Sequence, residues 1–383
     1  MRAVEALVIL VCVTVGWPGA ARAVPRAMIV VRAPGSDTFR PPPVDARLGE
    51  VVEAAVVLVE RDGSVLAPPT VARVALENGR AARIAGAWPD SARVVLVRVE
   101  PRLLHVDTPP PNAGEPAFSN SVLFGPRHGT WLGYDTLEYV ATPFGTEPSV
   151  TLRDARPTTR EHDTAGGAGA LWVAARVSLP DGTELRTPDE TSRDRLGLSA
   201  RVARVTFRTG DDYLGWLSTY FNVPNLFGSQ GSQVDRWVGA DCADVLVGAL
   251  RASGQRVRYA SVAGIGGLAD ALGPELRLGE DAVVRDADGA AHVLRWGSDV
   301  RPGDLVAIDY TDDPTGMLPR AWDHIGALVR DSPVGQPGVL DGADVLRHVT
   351  GLGLRDQPLR SQGAIRIRLW RFRVPARATH NRS

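Results

Sequence analysis

The run Gly239-Ala-Asp-Cys-Ala-Asp-Val-Leu-Val-Gly-Ala-Leu-Arg-Ala-Ser-Gly254 reads as the clearest helix in a chain otherwise built of strand and turn signals. Cys242, Val245, Leu246 and Leu250 recur at the spacing of one helical face. Asp241 is a good N-cap, Asp244 falls in the first turn, and Gly254 fits the left-handed position just past the end. The spacing predicts a helix over Cys242–Ala252, with the cysteine at its first position. There the helix dipole and the unpaired N–H groups favour thiolate over thiol. A depressed thiol pKa is therefore expected, with the same N–H groups available to an oxyanion.

Outward from this helix the texture differs on the two sides. Towards the C-terminus, strands are expected at Val257–Val262, Val283–Val293 (folded back at Asp288-Gly289), Asp304–Tyr310, His324–Val329, Val345–Thr350 and Ala364–Arg371. Asp212–Phe221 reads as a short aromatic helix, and Asn222–Ala240 as a loop. Upstream, from Val24 to about Arg208, helical periodicity is almost absent. Candidate strands are Met28–Val31, Val51–Val59, Val71–Leu76, Arg93–Val99, Leu137–Ala141, Leu171–Leu179 and Arg201–Phe207. Arg61-Asp62-Gly63 and Pro180-Asp181-Gly182 read as hairpin turns. Pro109-Pro110-Pro111 suggests a break between two Ig-like β-sandwich units, 24–108 and 112–208. The fold class expected is α+β: an N-terminal all-β region, then a domain at 211–373 in which one helix packs on an antiparallel sheet, then a tail, 374–383.

Composition removes whole classes of function. The chain has 383 residues, 43 Lys+Arg against 44 Asp+Glu, and a formal net charge of −1. No lysine occurs, which excludes a Schiff-base lysine, a P-loop lysine and a lysine general base. The near-neutral charge argues against a nucleic-acid partner. Arg2, the apolar run Ala6–Val15 and the small–x–small site Ala21-Arg22-Ala23 form an export signal over 1–23. Its apolar run is too short to span a bilayer. The mature chain is thus expected to begin at Val24, to work outside the cytoplasm (periplasm, cell envelope or secreted) without a membrane span, and to hold one cysteine, Cys242, with no disulfide partner.

A helix-start cysteine needs a histidine to receive and return its proton. His324 opens a strand-like run, and His348 lies in the next candidate strand, where it could orient His324. With Asn222-Val-Pro-Asn-Leu-Phe-Gly228, Gly239-Ala-Asp-Cys-Ala-Asp-Val-Leu246, Pro302-Gly-Asp-Leu-Val306, Asp323-His-Ile-Gly326 and the closing Arg366-Ile-Arg-Leu-Trp370, the chain from about 211 to 373 resembles the NlpC-type cell-wall peptidases of the papain-like cysteine peptidase superfamily. The resemblance implies a papain-like domain with Cys242 as nucleophile, His324 as base and acid, and His348 as orienting residue. It implies hydrolysis of amide bonds in peptidoglycan stem peptides, with no cofactor and no metal. Asn225 stands where the family usually has a tyrosine on the oxyanion side, and Ala243 where it usually has serine. Asn225 and Asp241 are therefore expected as supporting residues. Two alternatives stand beside this reading. One is a non-enzymatic secreted binding or scaffold module of the same fold. The other is a transglutaminase-like acyl transferase, for which Asp341 or Asp344 would replace His348 as the third residue.

Other signals read as structure. Gly264-Ile-Gly-Gly-Leu-Ala269 mimics a dinucleotide fingerprint, but Gly273-Pro274 cuts the following helix too short. His105 near Asp107 and His162 beside Asp163 each lack a third ligand. His292 reads as plain strand. Trp237 and Trp322 are read as either groove lining or core.

Overall fold

A computed structural model describes residues 24–103, 137–152, 166–226, 228–310, 322–350 and 353–373. The segment 1–23 expected as an export signal, Pro109–Pro111, His105, Asp107, His162, Asp163 and the segment 374–383 lie outside them. The fold is mixed α+β, mostly strands in several sheets with few helices.

The N-terminal strands are β1 (Arg26–Arg32), β2 (Val44–Arg47), β3 (Glu53–Val59), β4 (Val65–Ala67), β5 (Ile84–Ala87), β6 (Arg93–Leu103) and β7 (Leu137–Gly145). β8 (Ser149–Thr151), β9 (Gly169–Ser178), β10 (Glu184–Arg186), β11 (Arg193–Asp194), β12 (Gly197–Leu198) and β13 (Ala203–Arg208) follow. Both expected hairpins form, β3–β4 and β9–β10. The expected strand at Val71–Leu76 makes only isolated bridges, Phe39 with Val74 and Ala75 with Ala81.

The expected boundary near Pro109–Pro111 does not separate two sandwiches. One sheet runs β1-β3-β4-β5 and takes β8 on β3; the other runs β2-β13-β9-β6-β7 and takes β10 on β9. Strands from 24–108 and 112–208 are interleaved in both. Ile29, Val56 and Leu58 of the first sheet share one core with Leu96, Leu171, Val173 and Phe207 of the second. Pairing between strands far apart in sequence decides this, and a local break in the chain does not report it.

The second sheet is buried on both faces. Successive strand side chains point to opposite sides. In β9, Leu171, Val173, Ala175 and Val177 enter the core between the two sheets. Ala170, Trp172 and Ala174 enter another core, shared with Tyr220, Phe221, Val238 and the cysteine helix.

That helix belongs to the C-terminal region. The expected helix at Asp212–Phe221 is α1 (Tyr213–Leu217) followed by a 3-10 turn, Ser218–Tyr220. The expected loop after it contains one helical turn, α2 (Gly231–Val234). The cysteine helix is α3 (Cys242–Ala252), with the expected bounds, and Gly254 follows at φ +93°. No strand forms at Val257–Val262. A 3-10 turn, Val262–Gly267, stands where the dinucleotide mimic lies. The strands are β14 (Ala269–Ala271), β15 (Leu276–Leu278), β16 (Val284–Arg285), β17 (Leu305–Tyr310), β18 (His324–Arg330), β19 (Val345–Thr350), β20 (Gly353–Pro358) and β21 (Ile365–Phe372). The hairpin expected at Val283–Val293 shrinks to β16 plus a single bridge, Arg285 with Ala291. These strands form one sheet in the order β16-β15-β21-β17-β18-β19-β20, with β14 on β21. Among the described residues every strand pairing in it is antiparallel.

Every residue of α3 from Cys242 to Leu250 is buried, as expected of a helix enclosed on all sides. Leu305, Ala307, Ile325 and Ala327 of this sheet cover one side, and the second N-terminal sheet lies beyond the other. The two regions are also stitched by the backbone: Ala170 N–H donates to the Phe221 carbonyl at 2.9 Å, and the Asn222 amide donates to the Ala170 carbonyl at 2.8 Å. Trp237 is core rather than groove lining. It stacks on Tyr220, lies under Arg204 and donates to Thr219 Oγ1 at 2.9 Å. Among the described residues no helix is long and apolar enough to cross a membrane.

A shared core predicts one cooperative unfolding transition for the N- and C-terminal regions. Tryptophan fluorescence and far-UV circular dichroism should trace the same urea curve; two separated curves would refute the shared core. At Gly169, φ is +122° and an added Cβ would lie 2.3 Å from the Phe221 carbonyl oxygen. Gly169→Ala is expected to remove roughly 2–4 kcal/mol of stability, read from the same curves.

Candidate active site

The start of α3 is fastened by a carboxylate. Asp241 Oδ1 accepts the N–H groups of Ala243 at 3.1 Å and Asp244 at 3.0 Å. Asp244 closes the capping box by accepting the Asp241 N–H at 3.3 Å, and Ser229 Oγ donates to the same oxygen. Asp241 is thus the cap its sequence position suggested. Asn225 is carried alongside this turn. Leu226 N–H donates to the Ala240 carbonyl and Ala240 N–H to the Pro224 carbonyl, each at 3.2 Å. Two of the first three N–H groups of α3 are therefore already taken, and an oxyanion would be left with that of Cys242.

The histidines sit in a row set by strand register. Ile308 pairs with His324, Gly326 with His348, and Leu346 with Gln357. Tyr310, His324, His348 and Gln357 therefore share one face, on a diagonal across β17, β18, β19 and β20. His324 Nε2 meets His348 Nδ1 at 2.8 Å, and His348 Nε2 meets Gln357 Oε1 at 3.0 Å. Tyr310 stacks against His324 with centroids 6.3 Å apart, and its hydroxyl donates to Gln362 Oε1 at 2.8 Å. Gly326 leaves room for the pair: a Cβ there would stand 2.8 Å from the Cβ of His348.

The row lies on the face of Ile308, Leu328 and Leu346, away from α3; Ala307, Ile325, Ala327 and Val349 face the helix. Cys242 comes to the row at the mouth of β18. Its sulfur is turned to the N–H of Ile325, the residue after His324, and a thiolate there would oppose ionisation of the Tyr310 hydroxyl. The structure therefore puts His348 on the ring of His324, and Cys242 against the backbone of the next residue, Ile325. Asp341 and Asp344 bind elsewhere: Asp344 accepts Trp296 Nε1 and the Ser332 N–H, both at 2.8 Å, and Asp341 accepts the N–H groups of Gln336 and Ala343, both at 2.7 Å.

The electrostatics correct one expectation. The Cys242 thiol is pushed up, not down. Burial is the larger cause and the Asp241 charge the next, outweighing the N–H groups of Ile325 and Ala243. The dipole argument took no account of a carboxylate beside the sulfur in a water-poor interior. Burial, then the charge of His348, lowers His324 to about 3. Burial likewise lowers His348. Asp241 itself is raised to about 7 by burial and by Asp244. At neutral pH these three groups rest as a thiol and two neutral imidazoles.

Tyr310, Gln357 and Gln362 were not foreseen. Their sequence neighbourhoods carry no signal: strand register brings Tyr310 and Gln357 to the histidines, and the 3-10 turn Leu359–Gln362 brings Gln362. No protein family, curated protein or solved structure matches this chain.

Asp241 keeps its proton to about pH 7 in the folded chain, against roughly 4 when unfolded. Its contribution to stability is full below about pH 4 and is lost as pH rises through about 7. Asparagine caps as well as aspartate without the charge. Asp241→Asn is expected to speed alkylation of Cys242 at about pH 8 by about tenfold. It should also flatten the fall in melting temperature between about pH 4 and 7. Iodoacetamide kinetics and thermal melts check both, and a wild-type rate in the variant would remove Asp241 as a cause.

Proposed function

We propose that this chain is an exported thiol-dependent amide hydrolase of NlpC type, acting on peptidoglycan stem peptides through a papain-like site. The N-terminal pair of sheets is read as an Ig-like support for it. The observation that carries the proposal is the His324 Nε2–His348 Nδ1 contact at 2.8 Å, on a strand whose next residue, Ile325, turns its N–H to a cysteine at the first position of a buried helix. With Nε2 engaged, Nδ1 is the ring nitrogen of His324 left to serve the thiol.

In this reading Cys242 sulfur attacks the amide carbonyl carbon as its proton passes to His324 Nδ1. The carbonyl electron pair moves to oxygen, where the Cys242 N–H and the Asn225 amide are the donors to hand. Collapse breaks the C–N bond, and the leaving amine takes the proton from His324. Water, deprotonated by the same nitrogen, then attacks the acyl carbon; the C–S bond breaks, the acid leaves, and the sulfur takes the proton back from His324. The raised thiol pKa requires the proton to leave with the attack and not before it. A non-enzymatic module of the same architecture is the second reading. It is favoured by the burial of Cys242, 8% exposed, and its protonated state. The acyl-transferase reading loses its third residue, because neither Asp341 nor Asp344 takes up the ring of His324.

Purified mature chain is expected to release fragments from peptidoglycan stem peptides, and Cys242→Ala to release none. His324→Ala should slow release roughly 100- to 10,000-fold, and His348→Ala less. Unlike a thiolate enzyme, the wild type should alkylate slowly at about pH 6. Mass spectrometry of digests decides: no fragments from any variant supports the module.

A further inference from the structure

The ring of His348 lies between two glutamines of opposite demand. A glutamine oxygen only accepts and its amide nitrogen only donates. His348 Nε2 is 3.0 Å from Gln357 Oε1 and 3.4 Å from Gln362 Nε2. One ring nitrogen cannot donate to the first and accept from the second at once. Gln362 is held in its orientation because its oxygen receives the Tyr310 hydroxyl at 2.8 Å.

Resting on the hydrolase reading above, we infer that Gln357 is a positioning residue that sets which nitrogen of His324 carries the proton, in competition with Gln362. With His348 Nε2–H donated to Gln357, the Nδ1 of neutral His348 is a lone pair. His324 must then donate its Nε2–H across the 2.8 Å contact, leaving Nδ1 bare to take the thiol proton. If Gln362 wins, each bond reverses: Gln362 donates to His348 Nε2, His348 Nδ1–H donates to His324 Nε2, and His324 carries its proton on Nδ1. That ring cannot act as the base. Each ring keeps one proton in both states, so the exchange neither gains nor loses charge. The shorter contact, 3.0 against 3.4 Å, selects the competent state. Burial keeps both rings neutral, which the argument requires. Strand register delivers Gln357: it pairs with Leu346, two residues from His348 on the same face.

The test reads tautomers in the full mature chain labelled with 15N-histidine, by long-range proton–nitrogen spectra at neutral pH, which need no substrate. In the wild type His324 is expected as the Nε2–H form. Gln357→Leu should move that proton to Nδ1 and slow stem-peptide hydrolysis at least about tenfold. Gln357→Glu, a pure acceptor of the same length, should restore both. Gln357→Leu combined with Gln362→Leu should recover part of the loss, because the competing donor is gone. An Nδ1–H form in the wild type, or an unchanged tautomer in Gln357→Leu, overturns the inference. Hydrolysis at the wild-type rate in Gln357→Leu also overturns it while leaving the hydrolase standing. The expected tautomers with no hydrolysis in any variant uphold the proton arrangement and remove the hydrolase.

Discussion

The carboxylate of Asp241 is the joint on which the site turns. It holds the N–H groups of Ala243 and Asp244, and that of Gly228 from the preceding loop. It thereby fixes three things together: where α3 starts, where the segment carrying Asn225 runs, and what charge stands beside the sulfur. A good cap is ordinarily stabilising. Here it is sunk into a crowded interior beside a second carboxylate, so part of the gain is given back as a raised pKa. The same carboxylate that starts the helix adds its charge to burial in keeping Cys242 protonated.

How much of this was legible in the sequence follows from how local each feature is. Helix α3 could be read to the residue, because cap, periodicity and Gly254 lie within sixteen consecutive positions. Cys242, His324 and His348 could be picked out by type and order. The meeting of the two histidines could not, since it depends on the pairing of β18 to β19. Strand β20 was missed because Gly-Leu-Arg-Asp-Gln-Pro alternates poorly and ends in proline. With it went Gln357. The proline run near 110 misled for the complementary reason: chain breaks are local, but sheet membership is not. The thiol misled because the dipole is a property of the helix alone, and burial is a property of everything around it.

Neutrality is the common thread of the row. Among the described residues His324 faces another imidazole, and that ring faces amides. A carboxylate in the third place would stabilise an imidazolium at rest and draw the proton off the sulfur early. Two neutral rings backed by glutamines can direct a proton without holding it. The chemistry such a row supports is therefore gated by what enters the site more than by the surrounding pH.

The burial of β9 on both faces has a consequence for how this chain can change over time. A module that shares no core with its neighbours can be exchanged between proteins by recombination, because cutting at its borders exposes little. Cutting this chain near residue 210 would strip Tyr220, Phe221 and Val238 of Ala170, Trp172 and Ala174. The C-terminal half is thus bound to inherit its β partner, and any descendant that acquires a different one must first rebuild the outer wall of α3.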